Sequence, residues 1–233
     1  MMAAARKSTN WFALGVTAAA VVIVLIVGGV VWFANSQAAG PGTLPETSAV
    51  NTETGAIAVG TGEKTVDTYV DFMCPVCNSF EQAYGPTLQQ LVDDGTITLN
   101  IHPISILDRA SQGTQYSTRS ANAAYCVAVD DAANIPGFVK AMYAQQPKEN
   151  TSGLDDATLT SIATTAGASD AVSSCISDGT YTKFVTAMTQ KTPVQPGGQG
   201  VATPTIAVNG TVLANQTDLT GDPQKDIVAR LEG

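Results

Sequence analysis

Cys74-Pro75-Val76-Cys77 lies between a strand-like run, Lys64 to Phe72, and a helix-like run, Asn78 to Val92. The motif dictates a fold in which a strand ends at the foot of a helix. Cys74 then sits at the helix N-terminus, where unpaired N–H groups and the helix dipole favour a thiolate. Cys77, one turn on and more buried, is close enough to close a disulfide. The pair therefore reads as a redox dithiol, with Cys74 attacking and Cys77 resolving. Half of a zinc site and an inert structural disulfide are the competing readings. With four cysteines and one histidine in the chain, and Cys126 and Cys175 each alone in a helical pattern, the second ligand pair that structural zinc needs is missing.

Trp11 to Ala34 runs for 24 residues without a charge, long enough to cross a bilayer as a helix. Arg6 and Lys7 precede it, and all 20 acidic residues follow it, an asymmetry that keeps residues 1–10 cytoplasmic and exports the remainder. Trp11, Phe12, Trp32 and Phe33 resemble interfacial belts. A cleaved signal ending near Ser36-Gln37-Ala38 is the alternative, but the apolar run exceeds a usual signal core, so a retained single-pass anchor over 11–34 is expected. Residues 35–61, rich in Gly, Thr, Pro and Ala without sustained periodicity, read as a flexible linker. Setting Arg6 and Lys7 aside leaves nine basic against twenty acidic side chains, a formal charge of about −11. That surface argues against nucleic acid and against peripheral binding to anionic membranes.

The remaining residues, 62–233, are enough for one domain. Strand 65–72, helix 77–92, a turn at Asp93-Asp94-Gly95 and strand 96–101 form a βαβ unit with parallel strands. Phe80, Tyr84, Leu88 and Leu91 recur at helical spacing and face the sheet, and Pro86 is expected to kink that helix. From about 104 to 191 the periodicity is helical, with candidates at 112–130, 134–145, 155–166, 169–178 and 180–189 and caps at Asp155, Ser169 and Thr180. Strands return at 204–208 and 211–213 around Asn209-Gly210, a hairpin signal. A last helix, 223–231, opens on Asp222-Pro223.

The run Val70 to Glu81 around the two cysteines, the helical insertion, and Val201-Ala202-Thr203-Pro204-Thr205 before the hairpin together resemble the DsbA family of thiol:disulfide oxidoreductases. More narrowly, they resemble the membrane-anchored forms of Gram-positive actinobacteria. The resemblance covers roughly 57–233. It implies a thioredoxin-like α/β fold with an inserted all-helical subdomain, preceded by a single transmembrane helix. It also implies a cis Thr203-Pro204 peptide facing Cys74, with Thr203 offering backbone groups to a bound peptide; residues alone leave an ordinary trans proline open. Phe72, Met73 and Val76 are the expected apolar contacts for substrate.

One position departs from the pattern. Thioredoxins and many DsbA-like proteins carry a buried acid six residues before the first cysteine, where this chain has Thr68. Asp67 and Asp71 point away from Thr68 if the strand alternates throughout, which makes a solvent-exposed Asp71 the leading expectation and an acid role the alternative. His102, the only histidine, reads as punctuation at a strand end, with a catalytic role as the lesser alternative. Val76 cannot supply the positive partner that a histidine between the cysteines would, so the active-site dipeptide Pro75-Val76 predicts a less acidic Cys74 and a milder oxidant.

Cys126 and Cys175 lie in separate helical patterns, and export favours bonding between them. A bridge would close a loop of about 50 residues, for which chain entropy gives roughly 4 kcal/mol. An electron relay and two free buried thiols are the alternatives.

The resemblance thus implies a monomeric dithiol oxidase acting on reduced exported proteins. Its expected reoxidant is a membrane quinone-linked partner of the DsbB or vitamin K epoxide reductase type. The two sulfurs are the redox group, and no cofactor or metal is expected. A reductase or isomerase of the same fold, and a non-enzymatic peptide-binding or adhesion module, are the competing functions.

Overall fold

The computed structural model describes residues 40–232. The expected anchor, 11–34, lies outside the described residues, among which no helix is long and apolar enough to cross a membrane.

Five strands form one sheet: β1 (Ile57–Val59), β2 (Lys64–Val70), β3 (Ile97–Pro103), β4 (Thr205–Val208) and β5 (Thr211–Val212), in the order β1-β3-β2-β4-β5. Helix α1 (Pro75–Asp93) connects β2 to β3, which pair in parallel with Val66 opposite Leu99 and Val70 opposite Pro103. The other pairings are antiparallel. Parallel neighbours need a long crossover, and α1 supplies it while burying Phe80, Tyr84 and Leu88 in one cluster with Val66, Ile97 and Ile206. Burial on this scale contributes about 1.5–3 kcal/mol per large apolar side chain. Pro86 lies within α1 without ending it. Asn209 and Gly210 both take positive φ at the β4–β5 turn, the left-handed pair that a two-residue hairpin requires.

Between β3 and β4 the chain forms the helical insertion of a thioredoxin-like frame: α2 (Tyr116–Asp131), α3 (Ile135–Ala144), α4 (Asp156–Thr165), α5 (Val172–Ser177) and α6 (Thr182–Thr189). Phe72, Tyr116, Tyr125, Phe138, Leu159 and Phe184 fill the core that joins these helices to the sheet through Ile57, Val70 and Ile101. Asp155 caps α4 through Thr158 N–H at 2.8 Å. Ser169 and Thr180 do not cap. Ser169 is held by Asp130, and Thr180 N–H reaches back to Cys175 C=O at 3.2 Å just past the end of α5, beyond the left-handed Gly179, the bond pattern of a helix stop rather than a start.

The flexible-linker expectation for 35–61 fails for its second half. Ile57 is fully buried, β1 pairs antiparallel with β3, and Val50 bridges Ile57. Gly55 takes φ +78°, the Tyr125 hydroxyl donates to its carbonyl at 2.7 Å, and a Cβ there would meet Met188 Cγ at 2.6 Å. A three-residue strand carries too little periodicity to be read locally, and its burial is decided by partners more than 40 residues away. The chain ends differently from expectation as well. A short helix α7 (Asn215–Asp218) precedes a π-helical turn (Gln224–Val228) that leads into α8 (Ala229–Glu232). Buried Asp226 shapes this end by accepting from the Tyr84 hydroxyl at 2.6 Å and from Thr220.

Candidate active site

Strand β2 delivers the chain to a turn at 71–73, and Cys74 follows as the N-cap of α1, with extended backbone and Pro75 in the first helical turn. Proline there is pre-set for the helix and removes a donor that would lack an acceptor. The Cys74 side chain makes no capping hydrogen bond to the first-turn amides. The Cys77 thiol contributes most to stabilising the Cys74 thiolate, burial opposes it, and Thr203 and the backbone N–H groups of Cys77 and Val76 add to it, so that the Cys74 pKa falls to about 6. Burial pushes Cys77 well above the ordinary thiol range, and the neighbouring Cys74 adds to that. The two sulfurs are therefore driven apart in acidity, Cys74 toward a thiolate at neutral pH and Cys77 toward a thiol.

The partner across the site is the segment before β4. Thr203-Pro204 is a cis peptide, and Thr203 C=O lies 3.5 Å from Cys74 Sγ as the acceptor of a weak S–H bond. Pro204 C=O accepts from Gln195 Nε2 at 2.9 Å and from Asn215 Nδ2 at 2.6 Å. Gln195 and Asn215 thus fix the loop that faces the sulfur. Neither carries a sequence signal, since amides in polar loops are unremarkable until their partners are known.

A second brace comes from the insertion. Gln146, just past α3, donates to Phe72 C=O at 3.1 Å and Cys74 C=O at 2.9 Å, and Asn78 orients its amide by donating to Oε1 at 3.1 Å. Tyr143, fully desolvated, faces both cysteines and Asp71, whose charges add to burial in raising its pKa.

Other candidate residues lie elsewhere than expected. Phe72 and Met73 have no accessible surface. Phe72 packs against Phe138 and Tyr143, with ring centroids 6.0 and 5.5 Å away. They are core residues and offer a substrate nothing, because the turn after β2 folds inward beneath the insertion. Val76, by contrast, is 60% exposed beside Cys74. Asp71 is fully buried rather than solvent-facing; β2 ends at Val70, so strand alternation does not govern it. Thr68 is buried. His102 stacks on Tyr69 at 4.0 Å and holds Asp67 Oδ1 at 2.9 Å and Thr54 C=O at 3.3 Å. These partners tie it to β2 and to the segment leading into β1, and neither cysteine is among them. Among the described residues no cluster of His, Cys, Asp or Glu is arranged to hold a metal.

Cys126 of α2 and Cys175 of α5 form a disulfide with Cα atoms 5.8 Å apart. Asn122, one helical turn before Cys126, accepts from Tyr181 N–H at 2.7 Å and so joins the start of α6 to the same layer.

A thioredoxin family profile matches residues 54–221. DsbA from Mycobacterium tuberculosis, in its reduced form, shares 34% identity and superposes with a TM-score of 0.61, over 68% of this chain and 84% of that one. DsbG from the same organism, a disulfide bond oxidoreductase, shares 35% identity at a TM-score of 0.58, over 76% and 83%. Among curated proteins, the M. tuberculosis serine/threonine-protein kinase PknE is 35% identical over 119 residues, 49% of this chain. The match spans only 21% of the kinase's length and so concerns a single segment of it.

Proposed function

This chain belongs to the thioredoxin family, and from that premise we propose that it is an extracytoplasmic, DsbA-like thiol:disulfide oxidase that introduces disulfides into reduced exported proteins. The observation that carries the reading is the opposed acidity of Cys74 and Cys77 at the start of α1, opposite Thr203 C=O. A substrate thiolate attacks Cys74 Sγ of the oxidised pair. Cys77 leaves and takes a proton, which its raised pKa favours. The substrate's second thiolate then attacks the substrate sulfur of the mixed disulfide, and Cys74 departs as a stable thiolate. The substrate gains one disulfide and the enzyme is left with two reduced sulfurs.

A stabilised Cys74 thiolate stabilises the reduced enzyme, and that makes the disulfide oxidising. A value of about 6 lies between the roughly 3.5 of a strong DsbA oxidant and the roughly 7 of thioredoxin, in keeping with Val76 in place of a basic residue. Exposed Val76 and the Thr203-Pro204 segment form the substrate-facing surface in this reading. The apolar run 11–34 anchors the domain at the membrane beside a quinone-linked reoxidase of the DsbB or vitamin K epoxide reductase type, where tethering raises the effective concentration of the pair.

The test is the reduction potential of the Cys74–Cys77 pair with refolding assays on a reduced client. A potential nearer about −120 mV than about −270 mV supports the oxidase, and the reverse makes the enzyme a reductase. Cys77→Ala should accumulate mixed disulfides with the client. A peptide-binding module without redox chemistry would keep its partners when both cysteines become serine.

A further inference from the structure

Gln195 is placed by the turn Gln195-Pro196-Gly197-Gly198, closed by Gly198 N–H donating to Gln195 C=O at 2.9 Å with Gly197 at φ +77°. Proline and glycine occupy the two central positions that favour such a turn. The half-buried Gln195 side chain uses both amide protons on the segment facing Cys74. Its Nε2 donates to Pro204 C=O at 2.9 Å and to the hydroxyl of buried Thr205 at 3.0 Å. That hydroxyl in turn donates to Ala202 C=O at 2.7 Å. Asn215 Nδ2 gives Pro204 C=O a second donor at 2.6 Å, which fills both lone pairs of the carbonyl. Asn215 Oδ1 is buried with no partner among the described residues, so the bond to Pro204 is what orients that amide.

Thr203 lies between these two anchored carbonyls. A peptide unit is planar, so a clamp on Ala202 C=O also fixes the direction of Thr203 N–H. That N–H donates to none of the described residues, and Thr203 C=O meets the Cys74 thiol at 3.5 Å. One amide side chain thus holds the backbone on both sides of a residue whose own donor is free.

We propose that Gln195 is a positioning residue for the client: directly through Pro204, and by way of Thr205 through Ala202, it aims the backbone groups of Thr203 at the main chain of a polypeptide bound beside Cys74. The proposal rests on the redox reading of Cys74 and Cys77. Main-chain pairing gives affinity without reading side chains, which suits an enzyme that oxidises many sequences. It is most effective when the pairing groups are already directed as the client arrives. A small thiol has no main chain and gains nothing from it.

The experiment uses the full-length protein, a synthetic extended peptide with two reduced cysteines, and a set of the same peptide in which one backbone N–H at a time beside a cysteine is replaced by an ester oxygen. Dithiothreitol is the small-thiol control. If the oxidised wild type exchanges with neither peptide nor dithiothreitol, the redox reading itself fails. Given exchange, one ester position should lower wild-type kcat/KM by about two- to tenfold, the effect of one hydrogen bond. Gln195→Ala should lower kcat/KM for the all-amide peptide by a similar factor, carried mainly in KM, and should lose most of the ester effect, since the pairing it reports is already gone. Its reduction by dithiothreitol should stay within about twofold of wild type, as no hydrogen bond to a client backbone is at stake there. An ester factor unchanged in Gln195→Ala overturns the proposal, as does a wild type indifferent to every ester. A parallel fall with dithiothreitol overturns it too, because Gln195 would then only hold the site together. If Gln195→Ala does not fold, Thr205→Val, which removes the hydroxyl that reaches Ala202, takes its place in the same comparison with the same outcomes.

Discussion

The two cysteine pairs are made of the same atoms and are put to opposite uses by where they sit. Cys74 and Cys77 are separated by two residues at a helix N-terminus, and their reactivity comes from the Cys77 thiol, with Thr203 and first-turn amides, stabilising one sulfur as a thiolate and from burial acting on the other. Cys126 and Cys175 are 49 residues apart on two helices of the insertion, with Cys126 buried and their Cα atoms at 5.8 Å. The first pair is polarised so that its bond is readily exchanged. The second, with Cys126 buried and Cys175 half-buried, holds two helices together. Local position on a helix makes a redox centre, and distance along the chain makes a staple.

The largest effect that would break this contrast is on activity. Cys74→Ala should reduce client oxidation to the uncatalysed background, and retained turnover would remove Cys74 from the chemistry. Next, replacing Cys126 and Cys175 together by serine should lower folding stability by up to about 4 kcal/mol, since the loop entropy returns to the unfolded chain. Activity per folded molecule should hold, and a parallel collapse of the reduction potential would instead make the second pair a relay.

The third prediction concerns pH. Folding lowers the Cys74 pKa from 9.0 to about 6, so its contribution to stability is present above the unfolded value and is lost as pH falls through about 6. The denaturation midpoint of the reduced protein should therefore rise from pH 6 toward pH 9 relative to reduced Cys74→Ala, and identical slopes would contradict the polarised pair. Alkylation of Cys74 should lose about tenfold in rate per pH unit below that pKa, because the thiolate is the nucleophile. Smallest, Gln146→Ala removes the amide nitrogen that makes two hydrogen bonds to the Cys74 turn and should cost about 1–3 kcal/mol in stability, with a few-fold loss of rate. A pH-independent loss of rate would mark Gln146 as a brace rather than a group acting on the sulfur.

Legibility followed sequence separation. The strand–motif–helix unit, the helical insertion and the Asn209-Gly210 hairpin could be read from short-range periodicity and turn chemistry. The segment around Ile57 could not, because it is held by pairing with β3 and, at Gly55, by Tyr125 and Met188. Phe72 and Met73 read as surface contacts because they adjoin Cys74, but the turn after β2 folds them into the core. Asp71 read as exposed for a related reason: alternation was carried one residue past the end of its strand.

By itself the sequence determined which sulfur can become a thiolate, since a cysteine at a helix N-terminus meets unpaired amides whatever else the fold does. It also determined the order of elements that brings Thr203-Pro204 to the sheet after the insertion. The tertiary structure decided what surrounds that sulfur: Thr203 C=O across from it, Gln146 bracing its turn, Asp71 sealed beneath it and His102 drawn off to Asp67. Hydrogen-bond partners 30 to 130 residues away leave no periodic trace, and only the packed chain brings them within 3.5 Å of the groups they hold.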